Sequence, residues 1–322
     1  MTGCSARKFT LLYLGAPSDQ LVSEMQERAP GVTVKAARDQ AAAMAFAPEA
    51  EVVVGSGRLF GRALVEAAPG LRWVQSTSAG VEHFCPHLVG TDVVLTNARG
   101  AHPIPIAEHF LAMLLSLTRR LPAFAAQKAH RQWHRLELIE VRGKSVLVLG
   151  LGNLGREIIA AAHGIGLRVL GYDPYLAVPA ATVERLYRAD ELHEGLGQAE
   201  IVVSALPLTT ETRNFVGPAE FAAMRAGAYF FSLSRGGVVD EQALTGALQS
   251  GRLAGAGLDV FQVEPLPQNS PLWDMPNVII TPHVAAASQN TDRRVEVIFL
   301  ENLERYVSGR PLLNQVEVRR GF

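Results

Sequence analysis

An apolar run, Ser145-Val-Leu-Val-Leu149, feeds directly into Gly150-Leu-Gly152-Asn-Leu-Gly155, and helical spacing follows at Leu154, Ile158, Ile159 and Ala162. No other segment restricts the fold as much. A strand, a glycine turn and a helix in immediate succession open a βαβ unit. Gly150 permits the tight turn, Gly152 lets the backbone approach a diphosphate, and Gly155 lets the helix pack closely on the strand. The free amides of the first helical turn, at Asn153 and Leu154, then face the phosphates. A second run, Arg168-Val-Leu-Gly-Tyr172, ends at Asp173. That is about 20 residues beyond the glycines, where a carboxylate bonds the ribose hydroxyls of a dinucleotide. The same charge repels the 2′-phosphate of NADP, and Pro174 to Ala181 offers no Arg or Lys to hold one. NAD is therefore favoured over NADP, with Arg185 and Arg188 further along opposing that preference.

The fingerprint stands far from the N-terminus, and similar alternation precedes it. Short apolar runs at Thr10–Leu14, Val32–Val34, Glu51–Val54, Leu71–Val74 and Asp92–Leu95 are separated by helix-like segments at Gln20–Arg28 and Arg58–Ala67. Beyond the fingerprint, runs at Ile201–Ala205, Ala228–Leu233, Gly255–Leu258 and Val278–Ile280 continue the pattern, and Thr291–Val307 reads as a final helix. Strands alternating with helices predict parallel sheets covered on both faces. Ala41–Ala47 reads as helix, because alanine is the best helix former. Between the two blocks, Ile106 to Trp133 reads as one long Ala- and Leu-rich helical region interrupted at Pro122. Its apolar content leaves two readings, an interdomain helix or a subunit interface.

Composition narrows the function classes. The 322 residues suit two α/β domains, and 30 Lys+Arg against 31 Asp+Glu provide no basic field for nucleic acid or an anionic membrane. With 48% hydrophobic and 19% charged residues the chain can build a sizeable core. Cys4 and Cys85 cannot form a disulfide framework or a thiolate metal cage, which points to a reduced, cytoplasmic protein. Phe9–Leu14 is too short for a signal-peptide core and Phe110–Leu117 too short for a membrane span. No metal site is expected, since His130 and His134, four residues apart, read as a solvated face.

Hydride transfer at a nicotinamide needs a proton donor and a group that binds the carbonyl. No Tyr is followed four residues later by Lys, and two cysteines make a catalytic zinc site improbable, so histidine is left as the acid. His283 follows the strand Val278–Ile280 and Thr281-Pro282, at the carboxyl end where ligands of parallel sheets bind. Arg235, before Gly236-Gly237, and Glu264, beyond Gly257-Leu-Asp-Val-Phe261, stand at two other strand ends. Each alone reads as an ordinary strand-end or ion-paired surface group; together they form a plausible acid, orienter and anchor. His102 and His109 have no assignment.

These motifs, with Leu206-Pro-Leu-Thr-Thr-Glu-Thr212, Ser234-Arg-Gly-Gly-Val-Val-Asp-Glu241, Leu258-Asp-Val-Phe-Gln-Val-Glu-Pro265 and Thr281-Pro-His283, resemble the D-isomer-specific 2-hydroxyacid dehydrogenases. Through Ser270-Pro-Leu-Trp273 the chain is most similar to their glyoxylate/hydroxypyruvate reductase-like branch. The resemblance is dense over 101–287 and looser before it, chiefly at Ser78-Ala-Gly-Val81. It implies two doubly wound parallel-sheet domains. A Rossmann NAD-binding domain, 101–287, is inserted into a flavodoxin-like catalytic domain, 1–100 and 288–322. It also implies a homodimer formed through a helical arm at about 106–135. By the same resemblance His283 donates the proton to a 2-keto acid, Glu264 orients it, and Arg235 binds the substrate carboxylate and carbonyl. Ala79, Gly80 and Val81 supply amides for that carboxylate. Asp259 holds the nicotinamide carboxamide, with a strand-end turn cap as its other reading. Leu206, Pro207 and Thr212 line the cofactor, and Leu233, Ser234 and Ala285 fall in the same cofactor-binding motifs.

Departures are informative. Related formate dehydrogenases carry an amide where this chain has Glu264, which argues against formate. Phosphoglycerate dehydrogenases often add a regulatory domain, whereas this sequence stops soon after its last helix. Gly100-Ala-His-Pro-Ile-Pro-Ile106 is Pro-rich for its place. Similar reductases often prefer NADPH, in tension with Asp173. Trp133 reads as a packing residue or as one reaching a partner's substrate cleft. A second function class, an NAD(H)-sensing interaction protein resembling the corepressors of this fold, is the alternative to a reductase of small 2-keto acids.

Overall fold

Two all-parallel sheets carry the chain in this computed structural model, which describes residues 7–320. The first contains β1 (Phe9–Leu14), β2 (Val32–Ala37), β3 (Ala50–Gly55), β4 (Trp73–Ser76) and β5 (Val94–Thr96), in the order β2-β1-β3-β4-β5. That is the flavodoxin-like order. The second contains β6 (Ser145–Leu149), β7 (Arg168–Tyr172), β8 (Val183–Tyr187), β9 (Ile201–Ser204), β10 (Ala228–Ser232), β11 (Leu253–Leu258) and β12 (Val278–Ile280). Its order, β12-β11-β10-β9-β6-β7-β8, reverses direction between β6 and β9. Such a reversal opens a crevice beyond the carboxyl ends of the strands. Among the described residues, those up to His102 and from Ser288 onward form one compact unit, and Pro103–Ala287 form a second.

Register decides what lies in that crevice. Leu149 pairs with Tyr172 and Ser204, Ser232 with Ser204 and Leu258, and Leu258 with Ile280. The strands therefore end in line, and Gly150, Asp173, Ala205, Leu233, Asp259 and Thr281 follow them along one edge. All five residues of β6 and of β10 are buried, as strands covered on both faces require.

Two local readings are corrected. The helical region is two helices, Pro103–Thr118 and Leu121–Ala129, and the chain from Arg131 to Arg142 has no regular structure. Arg120 and Arg131 adopt left-handed backbone conformations, φ 57° and 54°, and end the helices there. At the second end Gln132 donates its amide to the Gln127 carbonyl, closing a C-terminal cap whose left-handed residue is usually glycine. An arginine in that role carries no sequence signal. Pro122 sits in the first turn of the second helix, where its missing N–H costs nothing. The edge strand β8 is also additional, because Val183-Glu-Arg-Leu-Tyr187 is too polar to stand out as an apolar run. No helix among the described residues is long and apolar enough to cross a membrane.

In the first unit the helix Thr291–Val307 returns to the sheet, burying Phe299, Leu300 and Leu303 with Leu11, Val52 and Trp73. At its end Tyr306 stacks at 5.2 Å from Trp73 and donates its hydroxyl to Glu51. Burial first, and the Glu51 carboxylate second, push the Tyr306 phenol up to about 12. Above about pH 10 an unfolded tyrosine ionises while the folded one stays neutral, so stability is full below that point and falls as pH approaches about 12. Tyr306→Phe should lower stability at neutral pH by about 1.5 kcal/mol. It should also flatten the alkaline decline of the urea midpoint; an unaltered alkaline profile would exclude this phenol as its source.

Candidate active site

At the end of β6 Gly150 has φ +90°, and an added Cβ would press on the Ala205 backbone and Leu206. Gly155 is more constrained: its Cβ would fall 1.9 Å from the Gly150 carbonyl oxygen. At Gly152, the N-cap of the helix Asn153–Gly164, a Cβ would meet nothing within 4 Å. The first intrahelical bond runs from Arg156 N to Gly152 O, so the amides of Asn153, Leu154 and Gly155 precede it. Open space before free helix-terminal amides is the form of an anion site.

Asp173 faces this turn. One carboxylate oxygen accepts from Leu151 N at 3.0 Å, and the other accepts from Tyr175 N and Leu176 N at 2.9 and 3.1 Å. The carboxylate thus braces the glycine turn and retains part of its acceptor capacity. Arg188 bonds the carbonyls of Leu176 and Ala177, and Arg185 is paired with Glu194. Both arginines that could have opposed Asp173 already have partners.

On the other side of the crevice the ends of β10, β11 and β12 meet. His283 Nδ1 lies 2.7 Å from Glu264 Oε2, and Glu264 Oε1 accepts from Phe261 N at 3.0 Å. The carboxylate is thereby fixed by its own turn and fixes the ring. Bonding to a carboxylate puts a proton on Nδ1 and leaves Nε2 as the outward-working atom. The backbone of His283 is left-handed, φ 53°. It is held by His283 N donating to the Asp259 carbonyl at 2.9 Å. Asp259, 1% exposed, accepts from Thr281 Oγ1 (2.6 Å), Val284 N (2.9 Å) and Ala285 N (2.9 Å). The turn-cap reading of Asp259 is therefore realised in the geometry.

Arg235 follows Ser234 after β10 and donates from Nη1 to the Ser234 carbonyl at 2.8 Å. The next residue, Gly236, touches the 261–264 turn so closely that a Cβ would lie 2.0 Å from the Phe261 carbonyl carbon. The Arg235 and Glu264 segments are thus in backbone contact. Glu241 reinforces the arrangement by accepting from Gln262 N, and Gln262 Nε2 donates to Asn214 Oδ1 and the Val239 carbonyl. Burial, followed by the nearby Glu264 charge, raises the Glu241 carboxyl above the usual carboxylate range. Nothing in the sequence pattern singles out Glu241, Gln262 or His109, whose Nε2 lies 3.0 Å from Thr281 Oγ1.

Leu206 and Leu233 are buried. Thr212 donates to the Pro207 carbonyl and pairs with Thr209, closing the loop after β9. Among the described residues the buried Ser234 hydroxyl meets no hydrogen-bond partner. An orphan hydroxyl at a strand end, an open Gly152 and free helix-terminal amides fit a dinucleotide with a polar ring substituent. Ala79, Gly80 and Val81 belong to the first unit, in the loop after β4, where Asn97 Nδ2 donates to the Ala79 carbonyl at 2.8 Å. Among the described residues their own three amides make no hydrogen bond. No group of three or more His, Cys, Asp and Glu side chains among the described residues could hold a metal ion.

The family model for the D-isomer specific 2-hydroxyacid dehydrogenase, NAD binding domain, matches residues 111–285. The chain is 33% identical over 303 residues to glyoxylate/hydroxypyruvate reductase B of Klebsiella pneumoniae subsp. pneumoniae, covering 91% of this chain and 93% of that one. It is 31% identical over 270 residues to D-3-phosphoglycerate dehydrogenase of Methanocaldococcus jannaschii, 83% of this chain and 51% of the relative. The chain spans about half the length of the phosphoglycerate dehydrogenases it matches. Among solved structures, D-isomer specific 2-hydroxyacid dehydrogenase from Xanthobacter autotrophicus Py2, in complex with NADPH and MES, is similar with a TM-score of 0.84. Its identity is 32%, over 98% of this chain and 100% of that one.

The Gly236 contact can be tested directly. Gly236→Ala forces the Phe261 backbone to move, which should cost about 1–3 kcal/mol in a urea melt. It should also lengthen the His283–Glu264 contact in a crystal structure. An unshifted 261–264 turn in that variant would contradict the coupling.

Proposed function

This chain belongs to the D-isomer specific 2-hydroxyacid dehydrogenase family, and on that premise we propose that it reduces small 2-keto acids to D-2-hydroxy acids with NADH. The glyoxylate/hydroxypyruvate class is the substrate favoured. The observation that carries the reading is the 2.7 Å His283–Glu264 pair, at the same sheet edge as an intact glycine turn. Gly150, Gly152, Asn153, Leu154, Gly155 and Asp173 would hold the diphosphate and ribose; Leu206, Pro207, Thr212, Leu233, Ser234, Asp259 and Ala285 would line the rest. When bound, NADH supplies a hydride.

The chain's own residues do the remainder. Glu264 accepts a hydrogen bond from Nδ1–H of His283 and fixes the ring plane, so that the ring, protonated on both nitrogens, delivers its Nε2 proton to the keto oxygen and is left neutral with its proton on Nδ1. The planar fork of Arg235 suits a carboxylate and its adjacent carbonyl together. The free amides of Ala79, Gly80 and Val81 have the character of a carboxylate nest. Asp173 supports NADH over NADPH by charge, because a 2′-phosphate would meet a carboxylate, and Arg185 and Arg188 are already bonded elsewhere.

Purified protein should consume NADH with glyoxylate or hydroxypyruvate. His283→Gln should lose about 10²–10⁴-fold in kcat, with NADH binding by fluorescence preserved. Full turnover in His283→Gln would sink the assignment, and equal kcat/KM with NADPH would remove the role given to Asp173.

The reading extends to a homodimer through the helical arm at about 106–135. The helix Leu121–Ala129 buries none of its residues, Trp133 is 95% exposed, and Leu121, Leu136 and Leu138 are exposed as well. A second copy would cover this apolar surface. Light scattering should give twice the chain mass, and Leu121→Glu combined with Trp133→Glu should halve it. A monomer at micromolar concentration would refute the dimer. Unchanged substrate preference in Trp133→Ala would show that Trp133 does not reach the partner's cleft.

A further inference from the structure

His109 belongs to neither the glycine turn nor the His283–Glu264 pair, yet it is wired to the turn that carries His283. It lies on the helix Pro103–Thr118, with its side chain 22% exposed. Its Nε2 sits 3.0 Å from Thr281 Oγ1 and 3.9 Å from Asp259 Oδ1. Thr281 Oγ1 in turn lies 2.6 Å from Asp259 Oδ1.

Proton accounting gives this chain of contacts a direction. A threonine hydroxyl has one proton, and at 2.6 Å from a carboxylate that proton is committed to Asp259. The hydroxyl oxygen can then only accept from His109, so Nε2 of His109 bears a hydrogen. The relay runs His109 N–H to Thr281 O–H to Asp259. Its end point also receives the amides of Val284 and Ala285, and the Asp259 carbonyl receives that of His283.

A carboxylate as buried as Asp259 is stable only when its acceptors are filled and positive potential is near. His109 supplies the far end of that arrangement from a different element of the fold. It ties the turn 281–285 to the long helix as well as to the sheet. The left-handed backbone of His283 needs such support, since a histidine gains nothing intrinsically from φ 53°.

We propose that His109 is a positioning residue: through Thr281 and Asp259 it holds the His283 turn in the geometry in which Nδ1 meets Glu264. The catalytic meaning of this rests on the reductase reading above, but the relay itself is a property of the folded chain. It therefore has a readout that needs no turnover, the amide exchange of residues 281–287.

The test compares His109→Leu, His109→Gln, Thr281→Val and the His109→Leu/Thr281→Val double variant. Leucine removes the donor, whereas glutamine retains an N–H at similar reach. Amides of 281–287 should exchange about tenfold faster in His109→Leu and recover in His109→Gln. The kcat should fall roughly tenfold in His109→Leu, with NADH affinity held within about threefold and most of the loss regained in His109→Gln. Thr281→Val should reproduce the loss, and the double variant should add little to it, as members of one network do. Unchanged exchange in His109→Leu, a glutamine variant as impaired as leucine, or additive losses in the double variant would each overturn the relay. Wild-type protein without 2-keto acid turnover would overturn the reductase reading alone, leaving the exchange result to judge His109.

Discussion

A buried carboxylate organises the carboxyl edge of the second sheet. Asp259 follows β11 directly and turns its acceptors toward the segment after β12, so one residue fixes the positions of Thr281, His283, Val284 and Ala285. In a low-dielectric interior each of those bonds is strong and each missing partner costly. The histidine backbone is consequently held in a conformation it would not choose. The resemblance assigns Asp259 to the nicotinamide carboxamide, and its hydrogen bonds make it a cap first. Three acceptor positions are filled and one on Oδ2 is left for a further donor.

The rest of the edge depends on backbone meeting backbone. Gly155 lies against the Gly150 carbonyl, and Gly236 lies against Phe261. Neither contact has room for a side chain. The first contact brings a helix terminus over the end of β6, where an anion is stabilised by free amides. The second joins the segment carrying Arg235 to the turn carrying Glu264. Neighbouring strand ends thereby act as one rigid support, and rigid support is what lets a few side chains keep catalytic distances.

Legibility in the sequence followed the range of the interaction. The glycine fingerprint is local, with strand, turn and helix within a dozen positions, and both sheets take the predicted parallel form. The strand-end residues were legible because register in a parallel sheet aligns the ends of successive apolar runs. The helix ends at Arg120 and Arg131 were not, because a left-handed arginine breaks the glycine rule that marks such ends. The strand β8 was missed because an edge strand buries one face and reads as a polar stretch. His109 and Thr281 are 172 residues apart, and no periodicity connects them.

The sequence by itself determined the fold class, the dinucleotide turn and the residue types available for proton transfer and carboxylate binding, because these depend on local propensity and short spacing. Only the tertiary structure decided that His283 and Glu264 meet at 2.7 Å, that Asp259 caps the His283 turn, and that Asp173 braces the glycine loop. Those choices are hydrogen bonds between segments distant in the chain. Their partners are selected by sheet register and burial, which exist only once the chain has folded.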